Sequence, residues 1–179
     1  MDHYSKHESL SHNSFESIGS ETFDLYLRAP YLFYEKSINE RIKPKHKVLE
    51  LGAGTGIHTF SLVQTGAEIV ATDISNDYLE ILKKNSSKVK PRMLTTKIAD
   101  MEQLPFENKS FDFVVSAGSL SYGDSKIIDS EIRRVLRDGG YFICVDSLNN
   151  NPIYRFNRYI HVLMNNRSKI TLANMPTIS

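Results

Sequence analysis

The chain has 179 residues and a formal net charge of +1, with 40% apolar and 24% charged residues, which suits one domain with a proper core and excludes a disordered chain or a polycation built for nucleic acid. One cysteine, Cys144, excludes an intrachain disulfide, and no Cys/His cluster gives a zinc signature. No apolar run approaches the ~18 residues of a bilayer span, so a cytoplasmic protein with no membrane span and no nucleic-acid partner is expected.

Residues 1–20 are polar and rich in Ser and His, and the spacing of His3, His7 and His12 specifies no metal. From Ser20 to Ile42 an aromatic-rich stretch reads as helix, with Pro30 as an interruption or restart. Residues 1–43 are therefore expected to form a helical extension that closes over a site as a lid, with Tyr34 in contact with substrate.

From Lys47 the pattern changes to short apolar runs alternating with helical segments, as in a parallel sheet with crossover helices. The runs are KVLEL (47–51), EIVATD (68–73), MLTTKIAD (93–100), FDFVVSAG (111–118) and GYFICVDS (140–147). The first crossover helix is predicted from about Thr55 to Thr65, closed by Gly66. The second starts after Ser75 as N-cap, and the third carries the stripe Ile128, Ile132, Val135 and Leu136, is capped by Asp124 or Ser125, and ends at Gly139-Gly140. Right-handed crossovers then predict the strand order 3-2-1-4-5, with a ligand crevice at the carboxyl ends of strands 1 and 4. Both the glycine loop VLELGAGTG and the segment SAGSLSYGD fall there.

Three glycines followed by Asp73 about twenty residues on are shared by two cofactor classes. A dinucleotide site needs G-x-G-x-x-G, but Gly52, Gly54 and Gly56 give G-x-G-x-G, and Ile57 stands where the third glycine belongs. Glu50 points a negative charge into the crevice, which repels a pyrophosphate and favours a cationic ligand.

Taken in order, VLELGAGTG, ATDIS, IADMEQLPFENKSFDFVVSAG and EIRRVLRDGGYFICVD resemble the motifs of the class I S-adenosylmethionine-dependent methyltransferases. The similarity covers roughly residues 46–147 and points to the small-molecule subgroup that includes quinone-biosynthesis enzymes. It implies an α/β fold, a Rossmann-like three-layer sandwich whose mostly parallel sheet has core order 3-2-1-4-5. S-adenosylmethionine is the implied cofactor and S-adenosylhomocysteine its product.

The resemblance assigns cofactor contacts to Glu50, Gly52, Ala53, Gly54, Gly56, Asp73, Ile74, Asp100, Met101, Ser116 and Ala117. In these roles Glu50 favours the cofactor's positive charges, the glycines let backbone approach its methionine part, Asp73 accepts from the ribose diol, Ile74 lies against adenine, and Asp100 with the Met101 amide reads the adenine edge. Ser116 to Gly118 pass beneath the methionine. Asp73 and Asp100 also have structural readings, as a helix-capping and a turn-anchoring carboxylate.

Transfer of a sulfonium methyl needs alignment and water exclusion more than a nucleophilic enzyme group, so a general base is optional. His58, Tyr122 and Asp124 are the candidates, although relatives carry histidine where this chain has SYGD. After Asp146 no acidic residue follows, while Arg155, Arg158, Arg167 and Lys169 do. Residues 44–148 read as the cofactor-binding core and 149–179 as a basic helical segment whose Arg155 and Arg158 share a face able to grip an anionic or sugar-linked small-molecule acceptor.

Family members continue with an antiparallel sixth and seventh strand, and the sequence shows neither. The expectations are a fragment, a stand-in from SKITLAN and its neighbours, or a homodimer covering the edge of strand five. The alternatives weighed are a non-catalytic S-adenosylmethionine-binding module and an NAD-dependent oxidoreductase.

Overall fold

The computed structural model describes residues 21–87, 89, 93–146, 156, 159, 160 and 174, with side chains from residue 28 onward. The elements in chain order are α1 (Glu21–Arg41), β1 (Lys47–Leu51), α2 (Thr59–Gln64), β2 (Glu68–Asp73), α3 (Asn76–Asn85), β3 (Leu94–Ile98), β4 (Phe111–Ala117), a 3-10 turn (Leu120–Tyr122), α4 (Ser125–Val135) and β5 (Leu136–Val145). All four strand pairings are parallel and the order is β3-β2-β1-β4-β5, as the crossover rule requires.

Alternation along β1 sorts the core. Val48 points to one face with Ile69, Phe113 and Val115, where Tyr34, Ile38 and Ile42 from the α1 side and Leu62 of α2 cover them. Leu49 and Leu51 point to the other, with Val70 and Val114, under Ile128, Ile132 and Val135 of α4. Against Ala53 and Ala71, Leu79 and Leu82 of α3 make a third cluster. Near-continuous burial of β1, β2 and β4 follows from helices on both faces.

Four local expectations are corrected. Helix α2 starts at Thr59 because Gly54 and Gly56 hold φ of 54° and 96°, which no right-handed helix accepts. Pro30 lies inside the continuous helix α1, where the core packing of Tyr34 and Ile38 outweighs the missing hydrogen bond. Strand β3 is shorter than its apolar run and stops at Ile98. Gly139 and Gly140 do not cap α4: that helix ends at Val135, and the glycines sit in a bulge of β5, which starts at Leu136.

Among the described residues no strand pairs with the outer edge of β5. The histidines of the N-terminal segment, Arg155, Arg158, Arg167, Lys169 and all but the last residue of SKITLAN lie outside the described residues.

Candidate functional site

The first layer of the site is backbone. Gly52, Gly54 and Gly56 all have positive φ, and a Cβ at Gly52 would fall on the Ser119 side chain, while one at Gly56 would fall on Leu82. The protein's own packing thus demands two of the three glycines, a role not foreseen for them. Ile57 is 61% exposed in the following turn. It blocks nothing, and the close approach between loop and helix falls on Gly56 instead. The loop is tied to β2 by Ala53 N donating to Thr72 O and by Gly54 N donating to Asp73 Oδ2, each at 2.9 Å.

Two carboxylates stand where β1 and β2 meet this loop. Glu50 is 3% exposed, and Thr59 Oγ1 donates to its Oε2 at 2.7 Å. Burial pushes its carboxyl up to about 7, the Asp73 charge adds to this, and the Thr59 bond opposes it. Asp73 accepts from Gly54 N on one oxygen and from Ser75 N on the other, so its structural job is real. A carboxylate has about four lone-pair positions, and two remain. Ile74, beside it, is 72% exposed.

Asp100 is exposed and its Oδ1 accepts from Glu102 N at 2.8 Å, anchoring the turn as the structural reading had it. Met101 is partly buried against the cluster of Leu104 and Leu120. At the end of β4, Ser116 pairs with Leu51 in register, Ser116 Oγ and Ser119 Oγ lie 2.7 Å apart, and Ser119 Oγ donates to Leu51 O at 3.0 Å. Ala117 is partly buried, and Gly118 N donates to Val145 O.

Helix α1 roofs this end of the sheet. The Tyr31 hydroxyl lies 3.5 Å from where a Cβ on Gly118 would sit, and the Tyr31 ring stacks on His58 with centroids 5.2 Å apart. Tyr34 meets His58 edge-on at 6.0 Å, and Glu35 Oε1 is 3.9 Å from His58 Nδ1, too long for a hydrogen bond and an ion pair only when the imidazole is protonated. Burial lowers the His58 pKa, with the Glu35 charge opposing it, so the imidazole is neutral near pH 7 and able to take a proton.

Tyr34, expected at the substrate, is instead 2% exposed, packed with Ile38 and Ile42, and its buried hydroxyl has no hydrogen-bond partner among the described residues. Tyr122 is 41% exposed in the 3-10 turn. Asp124 caps α4, its Oδ1 accepting from Lys126 N and Ile127 N, so the carboxylate offered as a base also has a structural job.

The structure thus brings together Glu50, the glycine loop, Asp73, Ser116 and His58, and gives Asp124 a helix-capping role. Sequence reasoning missed Thr59, Ser119, Tyr31 and Glu35. Thr59 had a signal, being nine residues after Glu50 at the start of α2, whereas Tyr31 and Glu35 come from a helix with no motif of its own. Among the described residues no three His, Cys, Asp or Glu side chains are grouped to hold a metal, and no helix is long and apolar enough to cross a membrane.

Comparison with known proteins agrees with this fold. A family model described as a methyltransferase domain matches residues 49–144. The chain is similar to the eEF1A lysine and N-terminal methyltransferase of Bos taurus, 30% identical over 145 residues that cover 73% of this chain and 20% of that protein. It is also similar to the demethylmenaquinone methyltransferase of Corynebacterium glutamicum, 39% identical over 105 residues, 55% of this chain and 40% of the other. The YcgJ protein of Bacillus subtilis shares the fold, with a TM-score of 0.64 at 21% identity over 73% of this chain and 58% of that one. The chain therefore spans less than two thirds of each of these proteins.

Proposed function

Because the chain belongs to the methyltransferase domain family, of the class I S-adenosylmethionine-dependent kind, we propose that it binds S-adenosylmethionine at the carboxyl ends of β1, β2 and β4 and methylates a small-molecule acceptor. The observation that carries this reading is Glu50: a buried carboxylate beside the glycine loop with a hydroxyl partner but, among the described residues, no cation. Such a group is costly unless the ligand brings positive charge, and it would repel the pyrophosphate of a dinucleotide. In this reading residues 44–148 are the cofactor-binding core, residues 1–43 its cover and residues 149–179 a basic C-terminal segment.

When bound, the cofactor supplies an activated methyl group that an acceptor takes up by in-line displacement. The chain's own residues hold and shield it. Glu50 and the amides of the glycine loop face the methionine part, Asp73 accepts from the ribose hydroxyls, Ile74 covers one side of the adenine, and Asp100 and the Met101 amide read its edge. Ser116 to Gly118 form the floor, and Tyr31 with His58 excludes water from above. His58, neutral near pH 7, accepts a proton where the acceptor must lose one. The small-molecule assignment is supported by the resemblance to quinone-biosynthesis methyltransferases and by the C. glutamicum relative.

Calorimetry with S-adenosylmethionine, S-adenosylhomocysteine and NAD tests the site, and turnover with a found acceptor separates an enzyme from a binding module. Saturable binding of the first two and none of NAD is expected. Asp73→Ala should weaken S-adenosylhomocysteine at least tenfold, about 1.4 kcal/mol. Unchanged affinity would leave that carboxylate serving the loop alone.

A further inference from the structure

A cavity of about 370 Å³ opens at the end of the sheet opposite the glycine loop. Its walls come from Arg41 at the end of α1, His46 before β1, Asp112 and Phe113 at the start of β4, and the bulged start of β5. The bulge makes the room. Phe111 pairs with Leu136 and Phe113 with Tyr141, so the four residues Arg137 to Gly140 stand opposite Asp112 alone. Gly139 has a φ of 76°, and a Cβ on Gly140 would come within 2.9 Å of Arg137 O and 3.0 Å of Asp112 O, so the glycine pair is what lets the chain fold back here.

The cavity is lined by two arginines, Arg41 and Arg137, and two aspartates, Asp112 and Asp138, and both aspartates are taken by cations other than Arg41. Asp112 is occupied on both oxygens, accepting from Lys47 N at 2.8 Å and from Arg137 Nη1 at 2.7 Å. Asp138 accepts from Lys109 Nζ at 2.7 Å. Arg41 has no carboxylate partner among the described residues. Its guanidinium lies 5.7 Å over the ring of Tyr141, which is stacked from its other neighbour by Phe113 at 5.6 Å. His46 Nδ1 accepts from Lys43 N at 3.0 Å, which leaves the ring proton on Nε2, and the ring is braced against Phe113 at 4.9 Å. The exposed Arg41 guanidinium and the His46 ring thus line the cavity against aromatic rings, and among the described residues neither has a hydrogen-bond acceptor.

We propose that this cavity is a second ligand site, which binds the phosphate group of a small molecule through Arg41 and His46. A guanidinium fork suits a phosphate bidentately, and the imidazole Nε2–H adds a third donor. The volume exceeds what a bare phosphate fills and falls in the range of small-molecule pockets, leaving space for a sugar-sized body. The site is at the other end of the strands from Glu50 and Asp73, so it is not the cofactor crevice.

Isothermal calorimetry on the full chain, with inorganic phosphate, a hexose phosphate and the unphosphorylated hexose as probes, tests the proposal without any methyl transfer. Saturable binding of the hexose phosphate is expected at about 1 mM or tighter, and none of the hexose. Tighter binding of the hexose phosphate than of inorganic phosphate assigns the site to organic phosphates, and equal binding assigns it to the free anion. Arg41→Met keeps the apolar stem and should weaken the phosphorylated probe at least tenfold, with S-adenosylhomocysteine binding unchanged as evidence that the fold is intact. His46→Gln, which keeps a donor, should weaken it less. No saturable binding by either phosphate probe, or equal affinity in Arg41→Met and the wild type, overturns the proposal.

Discussion

Two charged sites on opposite faces of the sheet are treated in opposite ways by the fold. On the α4 side, Arg134 donates from Nε and Nη2 to the two oxygens of Glu131, and its remaining hydrogens reach Leu104 O, Phe106 O and Asn108 Oδ1. Leu104 N closes the ring by donating to Glu131 Oε2 at 2.7 Å. The bond from Arg134 lowers the Glu131 pKa, against a desolvation that raises it, and Leu104 N helps. On the α1 side, Glu50 is more deeply buried, has one hydroxyl donor, and is pushed up to about 7. The same chain can saturate a charge where structure is the purpose, and the unsaturated charge beside the glycine loop is what the proposed cofactor site rests on.

The strongest way to break that comparison is Glu50→Gln. The folded pKa of Glu50, about 7, lies above its ordinary 4.5. Below about pH 4.5 both folded and unfolded chains hold the proton, and above about 7 both have released it. In between only the folded state keeps it, so stability falls as pH rises through that window, by about 3 kcal/mol in all. Urea unfolding at pH 5 and pH 8 should show this fall in the wild type and its loss in Glu50→Gln, which is then the more stable protein at pH 8. S-adenosylmethionine affinity at pH 8 should drop at least tenfold in the same variant. A variant that binds as well as wild type would show that the unsaturated carboxylate is not there for the ligand.

Arg134→Ala is the mirror experiment. It leaves Glu131, whose side chain is 17% exposed, without its cation and removes a donor from the carbonyls of Phe106 and of Leu104, the latter keeping Phe106 N. The expected loss is about 2 kcal/mol of stability, read as a lower urea midpoint, with S-adenosylhomocysteine affinity changed less than threefold. A tenfold loss of affinity instead would join this clamp to the site through the loop that carries Asp100 and Met101.

The contrast also explains what the sequence could convey. β1 and β2 begin and end where the pattern puts them, and the strand order follows from crossover handedness, because apolar period and chirality are local rules. The start of β5 was hidden because VLRDGG reads equally as a helix end with a glycine cap and as a bulged strand, and only pairing with β4 decides between them. In the candidate site, Glu50 and the glycines stand in one short motif and Asp73 in a second one about twenty residues on, so the sequence alone singles them out as candidates. The α1 residues Tyr31 and Glu35 are not singled out, since they reach His58 through tertiary packing from a helix that ends before β1 begins. Tyr34 shows the limit from the other side: its placement near the site was foreseen, but an aromatic in an aromatic-rich helix does not reveal that it packs inward.

Where scaffold and site touch, the expected effect is smallest and most informative. Ser75 caps α3 with an extended backbone, its Oγ accepting from Tyr78 N at 3.3 Å, while its own N donates to Asp73 Oδ1. Ser75→Ala removes the long cap bond but keeps the backbone donor, so stability should fall by about 0.5 to 1 kcal/mol and S-adenosylhomocysteine affinity by no more than twofold. Both are measurable by urea titration and calorimetry on one preparation. If affinity fell tenfold with so small a loss of stability, the cap would be fixing the Asp73 carboxylate itself. The division between a saturated scaffold and an unsaturated site would then fail at a residue where the two share a hydrogen-bond chain.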